Sequence, residues 1–456
     1  MAMPKKKTAL TIEERLQQAL VPAEEQPYEV PENWVWVRLG EVNKYMSKSV
    51  NPISEPDKTF ELYSVPSMAD NYPEIIVGSD IGSSKQSVCK GDVLLCKINP
   101  RINRVWKVSQ FTDNELIASS EWIIIRNNHI DANYLMYCFQ SKYFREFMLS
   151  NVSGVGGSLM RAQPKYVQTY PIPLPPLSEQ QRIVERIEEL FAKLDEAKER
   201  LQEAADSFAV RKAAILHKAF TGELTKQWRL ENGVSDESWE EKKLGEVGSW
   251  LGGGTPSTRR EEYWENGNIL WITSKDMKSA VIEDTLMKVN EIGVKNSSAN
   301  YIEKPALLVV MRSGILRRTF PVAMVKKPFT VNQDLKAIIP DKDDLEFLFW
   351  MLLSNERRIL DSCMKNGTTV ESINSNALKA FAFKCPTLPE QHEIVRLIDD
   401  LLARERSAQQ ATEQALASID LMKKSILARA FRGELGTNKA SEASALELLR
   451  QVLAEN

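Results

Sequence analysis

The sequence contains few of the residues on which metal centres and many enzymes depend. Its 456 residues include five cysteines and three histidines, and no two cysteines form a C-x-x-C pair. Because a structural zinc site needs four closely spaced ligands, mostly Cys and His, we expect no metal site. No G-x-x-x-x-G-K-[ST] loop is present to bind ATP phosphates. We therefore predict a protein without a cofactor of its own and without catalytic activity.

One possible methyltransferase motif is incomplete. Pro175-Pro176-Leu177 contains the only double proline that is followed by an apolar residue. It lacks the polar residue before it and the aromatic residue after it with which an amino-methyltransferase holds a flipped adenine. The sequence thus argues against a self-contained DNA methyltransferase.

Long apolar runs and an excess of basic residues are missing as well. No apolar stretch approaches the roughly 18 residues of a membrane span, and the basic residues 1–7 lead into a polar helix instead of the apolar core of a signal peptide. We expect a cytoplasmic protein with reduced thiols and no membrane partner. The 59 Lys and Arg residues are balanced by 62 Asp and Glu residues, giving a net charge of −3. Binding to nucleic acid would therefore depend on local basic patches.

The chain contains an internal repeat. The segment L-S-E-Q-Q-R-I-V at 177–184 corresponds to L-P-E-Q-H-E-I-V at 388–395, an offset of 211 residues. The same offset links A-F-T-G-E-L at 219–224 with A-F-R-G-E-L at 430–435. No insertion or deletion separates these landmarks, so this part of the repeat has a fixed length.

A second pair of landmarks lies upstream. W-V-W-V-R-L-G-E-V at 34–42 corresponds to W-E-E-K-K-L-G-E-V at 239–247, with an offset of 205 residues. The segments between the landmarks therefore differ by six residues in length. A variable globular module followed by a constant segment thus occurs twice. So long a period favours a tandem duplication over a solenoid, whose repeats span about 20–50 residues.

The constant segments have the pattern of long helices. The first follows prolines, with Ser178 as N-cap and Gln181 three residues later, as in a capping box. Gly222 and Gly433 stand where glycines commonly end helices. Between these signals apolar residues are spaced alternately by four and three, which averages the coiled-coil period of about 3.5 residues. About 40 residues at 1.5 Å each would form a helix roughly 60 Å long.

The two helices are predicted to pack on each other within one chain. In the second helix the row of apolar residues, which we call the seam, continues to Met422 but is interrupted by the polar residues Glu405 and Thr412. These residues weaken it as the interface of a homodimeric coiled coil. A globular module between the helices must return the chain, so we expect antiparallel pairing with the modules at opposite ends and an approximate two-fold relation. The residues expected to pack the helices together are Ile183, Ile187, Leu190, Leu194, Leu201, Phe208, Ile394, Ile398, Leu401 and Ile419.

The globular modules are predicted to be mixed α/β. Their strand candidates are Val93–Ile98, Trp122–Ile125, Ile269–Thr273, Ala306–Met311, Val322–Val325 and Leu335–Ile339, and their helix candidates are 131–148 and 343–358. The predicted order is an N-terminal helical segment at 1–30, a first module at 31–176, a spacer helix at 177–224, a linker at 225–237, a second module at 238–387, a second spacer helix at 388–435 and a helical tail at 436–456.

The two termini are expected to form short amphipathic helices. Thr11 and Glu14 have the spacing of a capping box, and Leu446, Leu449 and Val452 mark an apolar helical face near the C-terminus. We predict that the two tails meet and complete the repeat.

Basic residues cluster without acids in one loop of each module. Arginine and asparagine can pair bidentately with guanine and adenine edges, and lysine neutralises phosphates. A solvated basic surface would have the same composition, so both interpretations remain open. The candidate DNA-binding residues are Lys97, Asn99, Arg101, Asn103, Arg104 and Lys107 in the first module and Arg312, Arg317 and Arg318, continuing to Lys326 and Lys327, in the second.

A glycine-rich segment of the second module is a further candidate. In L-G-G-G-T-P-S-T-R-R the glycines permit close approach of the backbone, and hydroxyls and arginines suit phosphates. A plain turn would need the same glycines. Gln333 precedes a strand and could read a base or make a buried hydrogen bond. The candidates here are Gly254, Thr255, Ser257, Arg259 and Gln333, and two further Gly- or Thr-containing loops lie at 154–158 and 366–369.

Taken together, these motifs resemble the specificity subunits of type I restriction–modification systems. The resemblance rests on the L-x-E-Q-x-x-I-V and F-x-G-E-L landmarks and on G-G-G-T-P-S followed by Y-W-E-N-G-N-I-L-W-I-T-S-K-D-M, and it covers nearly the whole chain. The first module lacks the G-G-G-T-P-S element.

The resemblance implies a division of labour. Each globular module would be a target-recognition domain that reads one half of a bipartite site in double-stranded DNA. The paired helices would act as spacer and as docking surface for two adenine methyltransferase subunits, which bind S-adenosylmethionine. Restriction and translocase subunits, which use ATP and magnesium, would join the larger complex. The alternative is a non-catalytic coiled-coil scaffold without sequence-specific DNA binding.

Overall fold

The computed structural model describes residues 10–154, 160–365 and 370–454. They form two compact units, unit 1 comprising Met1–Gln202 with Gln414–Asn456 and unit 2 comprising Glu203–Glu413. Two long helices contribute one half to each unit. Within the described ranges, no helix combines the length and the apolar character that crossing a membrane requires.

The described helices are α1 Ile12–Ala19, α2 Leu39–Val42, α3 Ala132–Gln140, α4 Lys142–Ser150, α5 Pro164–Val167, α6 Leu177–Phe220, α7 Lys226–Asn232, α8 Glu291–Lys295, α9 Leu345–Ser354, α10 Glu356–Cys363, α11 Ser375–Lys379, α12 Leu388–Ala430 and α13 Ala445–Ala454. The strands of unit 1 are β1 Val35–Arg38, β2 Ser49–Val50, β3 Thr59–Tyr63, β4 Glu74–Val77, β5 Lys85–Ser87, β6 Val93–Cys96, β7 Val105–Lys107, β8 Glu115–Ala118, β9 Trp122–Ile125, β10 Val152–Ser153, β11 Arg161–Ala162 and β12 Pro171–Leu174. The strands of unit 2 are β13 Glu240–Lys243, β14 Gly248–Gly252, β15 Ile269–Ile272, β16 Met287–Val289, β17 Ala306–Val310, β18 Val322–Val325, β19 Phe329–Val331, β20 Leu335–Pro340 and β21 Ala382–Cys385.

The two units share a sheet plan. In unit 1 the strands run β2-β5-β8-β3-β4 in one sheet and β7-β6-β9 in another, and β3 pairs parallel with β8. In unit 2 the orders are β14-β20-β17-β18 and β16-β15-β19, and β15 pairs parallel with β19. This mixed α/β architecture with an internal duplication confirms the predicted fold class.

Each globular part begins and ends on one pair of antiparallel strands. In unit 1, β1 pairs with β12, and Trp36 lies opposite Pro173. In unit 2, β13 pairs with β21, and Lys242 lies opposite Phe383. The upstream sequence landmark therefore contains the first strand of each module, and this strand pairs with the strand that leads into the long helix.

The long helices span 44 residues in α6 and 43 in α12. Gly222 and Gly433 adopt φ of 78° and 74° just beyond the helix ends, which confirms them as the left-handed residues that stop these helices. The predicted capping box at Ser178 is wrong. Because the Pro176 carbonyl accepts from the amides of Glu179 and Gln180, at 2.9 and 3.0 Å, the helix starts at Leu177 and Ser178 lies in its first turn.

The halves of the two long helices run antiparallel within each unit. In unit 1, Ile183 shares a buried core with Phe431, and the Lys423 ammonium lies 2.5 Å from a carboxylate oxygen of Asp195. Residue numbers thus fall along one helix as they rise along the other. The predicted antiparallel pairing is confirmed here.

Unit 2 shows the same direction. Leu216 and Ile394 lie in one buried core, while Arg211 donates to Glu405 at 2.8 Å. Glu405, which interrupts the apolar seam, therefore forms an ion pair across it. Thr412 is buried and donates to the Ala408 carbonyl at 2.8 Å within its own helix.

Burial along the predicted seam is graded. The residues that are buried are Ile183, Ile187, Ile394, Ile398 and Ile419, and those that are half-buried are Leu190, Leu194, Leu201, Phe208 and Leu401. Met422 is 48% exposed, so its assignment to the seam is wrong. The neighbouring Lys423 contacts the other long helix instead, with its ammonium 5.0 Å from the ring centre of Phe191.

The predicted helices at 131–148 and 343–358 are each two helices. Ser141 ends α3 and caps α4 by accepting from the Phe144 amide, and Asn355 separates α9 from α10. Polar residues that bond to the backbone compete with helix continuation, and apolar periodicity alone does not reveal this. The strand predictions agree with the structure to within two residues at either end.

The repeated Glu-Gln pair ties each long helix to its module. In unit 1, Gln180 donates to the Pro175 carbonyl at 2.9 Å and accepts from the amide of Asp131, which caps α3. In unit 2, Gln391 makes the equivalent bonds to Pro386 and Asp344, at 2.9 and 2.8 Å. These side-chain bonds fix the start of the helix against the globular part.

The two glutamates use different partners. Glu179 is buried and accepts from Trp34 and Asn438, each at 2.8 Å, and burial raises the pKa of its carboxyl group. Glu390 is buried against the guanidinium of Arg229, at 2.7 Å. At this repeated position the carboxyl group therefore accepts from uncharged donors in unit 1 and forms an ion pair in unit 2.

The predicted meeting of the two tails is confirmed within unit 1. Helix α1 begins at a capping box formed by Thr11 and Glu14. It contacts α13, and the Arg15 guanidinium donates to the Leu453 carbonyl at 2.7 Å. Leu449 and Val452 of α13 are fully buried in the same core as Leu16 of α1.

Candidate nucleic-acid interface

In unit 2, the sheet register brings together segments that are far apart in the sequence. Strands β14 and β17 lie on either side of β20 and run antiparallel to it. Gly252, at the end of β14, pairs with Lys336, and Val310, at the end of β17, pairs with Leu335. The glycine-rich segment and the arginine loop therefore leave the same edge of the sheet, where β20 begins.

The turn before β20 connects the two segments. The Asp334 carbonyl accepts from the amides of Met311 and Arg312, at 2.8 and 3.3 Å. On the other side, the Thr255 hydroxyl donates to the Gln333 side-chain oxygen at 2.8 Å. The structure thus places three of the segments selected from the sequence in one surface region, which we call the unit 2 edge (residues 252–259, 311–318 and 332–336).

The glycines of this edge serve the protein's own packing. A Cβ atom at Gly253 would overlap the Val331 carbonyl, and one at Gly254 would overlap the Ser298 hydroxyl. The Gly254 carbonyl also accepts from the Trp271 indole at 3.2 Å. Gly254 thus has a packing reason to be glycine within unit 2, and its approach to a ligand stays a prediction.

Several polar side chains of the unit 2 edge are exposed. They are Thr255, Ser257, Arg259, Arg312, Arg317, Arg318 and Gln333. The Arg317 side chain is 70% exposed, and its Nε donates to Glu371, whose side chain is 18% exposed. That ion pair holds the pKa of Glu371 below its usual value.

The second basic cluster contains no acids in the sequence, but the fold brings acids to it. Besides the pair of Arg317 with Glu371, Lys326 pairs with Glu346 at 2.6 Å. Lys327 pairs with Glu283 at 2.7 Å. Because these acids come from distant parts of the sequence, the local pattern could not show them.

Unit 1 repeats the backbone arrangement of the unit 2 edge. An isolated bridge joins Ile98 to Arg161 in unit 1, and an isolated bridge joins Arg312 to Ser372 in unit 2. The loop 97–104 that follows β6 is therefore the counterpart of the loop 311–318 that follows β17.

A second set of bonds supports this correspondence. The Ser119 amide donates to the Tyr63 carbonyl at 3.1 Å, just as the Asn332 amide donates to the Ile272 carbonyl at 3.0 Å. The amide of Lys97 donates to the Glu121 carbonyl at 3.0 Å, in the position that Asp334 takes in unit 2. The segments 119–121 and 332–334 thus occupy equivalent places.

The predicted residues of unit 1 are only partly brought together. Asn99 and Asn103 adopt left-handed φ of 49° and 55° and so shape the turn. The Asn103 side-chain oxygen is buried without a hydrogen-bond partner among the described residues. Lys107 lies in β7, where its ammonium donates to Asn133 at 2.6 Å, away from the loop. Arg101 is exposed, and its Nε donates to Asn99 at 3.3 Å.

A cavity of about 500 Å³ lies beside this loop. Its lining includes Asn99, Arg104, Lys85, Ser119 and Glu121. Burial lowers the pKa of the Lys85 ammonium. The cavity therefore combines cationic, amide and hydroxyl groups with one carboxylate, and these can donate to and accept from base edges.

Three polar residues near these loops were missed in the sequence. Glu121 pairs with Arg161 at 3.2 Å in unit 1, and Glu371 holds Arg317 in unit 2. Lys85 belongs to β5, far from the basic cluster in sequence. The pairing of β5 with β8 brings Lys85 to the loops, and backbone bonds outside the strands bring Glu121 and Glu371 there, so no local motif marks them. The loops at 155–158 and 366–369 lie outside the described residues.

Comparisons with known proteins agree on one family. Residues 31–205 and 236–416 match the model of the type I restriction modification DNA specificity domain. The EcoR124I/EcoR124II specificity subunit of Escherichia coli is 40% identical over 161 residues, which are 35% of this chain and 40% of that subunit. The StySPI specificity subunit of Salmonella potsdam is 27% identical over 350 residues, 72% of each chain.

A solved structure shows the same fold. The HsdS subunit from Thermoanaerobacter tengcongensis matches with a TM-score of 0.68 and 22% sequence identity, covering 90% of this chain and 99% of that one.

Proposed function

Because the chain belongs to the family of type I restriction–modification DNA specificity subunits, we propose that it directs a modification complex to a bipartite sequence in double-stranded DNA. A specificity subunit is the non-catalytic DNA-recognition part of its complex, and this chain contains two copies of the specificity domain. In our proposal residues 31–176 and 238–387 are the target-recognition domains, and each reads one half of the site.

The observation that carries this proposal is that the two units repeat the same backbone arrangement but carry different side chains on it. The segments 119–121 and 332–334 make equivalent backbone bonds, yet Ser120 stands where unit 2 has Gln333. The loop 97–104 likewise carries different residues from 311–318. Because base edges are read by side-chain identity, two such sets would read two different half-sites.

The side chains have the chemistry that this reading needs. Arginine binds guanine O6 and N7 with two donors, and glutamine binds adenine N6 and N7 with one donor and one acceptor. Arg317 and Gln333 are exposed at the unit 2 edge, and Arg104 lines the cavity of unit 1. Arg101, Arg259 and the neighbouring lysines would contact phosphates.

The long helices would dock two methyltransferase subunits. Exposed apolar residues on them support this role, because a long polar helix has no structural need for them. Val210 is 70% exposed on the half of α6 in unit 2, and Leu421 is 65% exposed on the half of α12 in unit 1. Val210 and Leu421 are 211 residues apart, which is the offset of the repeat, and such equivalent positions fit two copies of the partner. Restriction and translocase subunits would join the larger complex, which would act on cytoplasmic DNA.

Binding measurements with and without methyltransferase subunits test the proposal. The chain has a net charge of −3, so we expect it alone to bind DNA weakly, because non-specific affinity comes largely from phosphate neutralisation. With the methyltransferase subunits, fluorescence anisotropy should show tight binding to one bipartite sequence, identified from the adenines methylated in the host genome. Equal affinity with and without those subunits, or no preference among sequences, would support a scaffold instead.

A further inference from the structure

We propose that Glu371 and Thr255 are positioning residues that orient Arg317 and Gln333 to read one guanine and one adenine of the half-site assigned to unit 2. This inference rests on the proposed function and adds to it the bases that are read and the side chains that hold the readers. The unit 2 edge supplies the geometry for both pairs.

The contact with Glu371 leaves the reading end of Arg317 available. A carboxylate oxygen of Glu371 accepts from Nε of the guanidinium. Nη1 and Nη2 then form the outward end of the fork, which is the end that matches O6 and N7 of guanine. A side chain 70% exposed would otherwise sample many rotamers, and fixing it in advance lowers the entropic cost of binding.

Glu371 is itself held in place. Its backbone carbonyl accepts from the Ser313 amide at 3.0 Å, at the start of the same loop that carries Arg317. Its side chain is only 18% exposed, and the nearby guanidinium holds its pKa below the usual value, so it remains ionised at neutral pH. The carboxylate is therefore a stable support for the arginine.

Thr255 holds the end of the Gln333 side chain. A glutamine amide can be turned so that its oxygen and nitrogen exchange places, and only one orientation matches adenine. In the structure the Thr255 hydroxyl donates to the Gln333 oxygen at 2.8 Å, and this arrangement is the one that matches adenine. The oxygen keeps a second lone pair for adenine N6, and the amide nitrogen can donate to N7.

The backbone around both pairs is fixed by the sheet. Thr255 follows Gly254, whose carbonyl is held by the Trp271 indole at 3.2 Å. Gln333 precedes Asp334, whose carbonyl binds the amides at the start of the arginine loop. The two reading side chains thus project from neighbouring loops at one sheet edge, as two contacts within one half-site require.

Selection from a randomised duplex library tests the inference. The full chain would be assembled with its methyltransferase subunits, and bound duplexes would be sequenced. A good bidentate contact discriminates against wrong bases by about 5- to 150-fold. We expect Glu371→Gln to lower the preference for one G·C pair about tenfold and Thr255→Val to lower the preference for one A·T pair by a similar factor. Preferences in the other half-site should not change.

Matched variants separate positioning from a structural role. Thr255→Ser keeps the hydroxyl and should retain the wild-type profile. Glu371→Gln should have no further effect in an Arg317→Ala background, because the residue it orients is then absent. Arg318→Ala changes the exposed neighbour of Arg317 and should weaken binding equally for all sequences.

The outcomes distinguish the inference from the proposed function. If the wild-type complex selects a bipartite site but Glu371→Gln and Thr255→Val leave its base preferences intact, or lower affinity uniformly, the positioning role is refuted. If the wild-type complex selects no sequence at all, the proposed function fails first.

Discussion

The two equivalent glutamates at the starts of the long helices should respond very differently to the same substitution. Glu390 and Arg229 form a buried pair whose side chains are 0% and 7% exposed. Breaking a buried ion pair costs about 3–5 kcal/mol. Asp236 also contacts Arg229, at 2.9 Å, and offsets part of that loss, so we expect Glu390→Gln to destabilise unit 2 by roughly 3 kcal/mol.

The same change at Glu179 should be mild. Its partners Trp34 and Asn438 are neutral donors to a single oxygen, and the oxygen of a glutamine can accept both bonds. The cost should stay near 1 kcal/mol, about that of one imperfect hydrogen bond. At Glu390, by contrast, the second carboxylate oxygen is buried with no hydrogen-bond partner in the described parts of the chain, and a glutamine NH₂ placed there would lack an acceptor.

Amide hydrogen exchange measures the two effects separately, which a single unfolding midpoint of a chain with two units does not. Glu390→Gln should speed exchange in α7 and at the start of α12, and Glu179→Gln should change exchange in unit 1 far less. Equal effects at the two positions, or a larger effect at Glu179, would refute the view that the partner's charge sets the cost.

Three further predictions follow from described contacts. Arg104→Ala should weaken binding of the complete complex by about 1–3 kcal/mol and relax base preference in one half-site only; a uniform loss over all sequences, measured by the same library selection, would make Arg104 a phosphate contact. The raised pKa of Glu179 means that folded unit 1 binds a proton more readily than the unfolded chain, so stability is gained as pH falls through that pKa towards the unfolded value and lost as pH rises; urea unfolding at several pH values should show this trend in the wild type and not in Glu179→Gln. Gly254→Ala should destabilise unit 2 by about 1–3 kcal/mol because its Cβ would overlap the Ser298 hydroxyl, whereas Gly314→Ala, with open space at its Cβ, should be nearly neutral in thermal unfolding.

The sequence predicts those parts of the fold that depend on local periodicity and on the internal repeat. The 3.5-residue spacing and the glycines at 222 and 433 predict the long helices, and the constant offset predicts the duplicated plan. Errors arise where a polar residue competes locally with the backbone, as Ser141 does between α3 and α4. They arise also where a proline carbonyl supplies the first helical acceptor, as Pro176 does for α6.

The candidate site was predictable only in part for a different reason. Its arginines and glutamine are visible as sequence clusters, but their partners are remote: Arg317 and Glu371 are 54 residues apart, and Thr255 and Gln333 are 78 residues apart. Such pairs depend on strand register, which a single sequence does not encode in any local pattern. The sequence therefore named Arg317, Gln333 and Thr255 as candidates, but it neither paired Thr255 with Gln333 nor marked Glu371.

The strand pairs β1–β12 and β13–β21 give each module the properties of an exchangeable cassette. Paired strands lie about 5 Å apart, so the chain leaves each module almost where it entered. The segment between those strands can therefore vary in length without displacing the start of the long helix, provided that the backbone amide that binds Gln180, here that of Asp131, keeps its place. A foreign module grafted between Arg38 and Pro171, which face each other in that pair, would therefore leave the start of α6 in place.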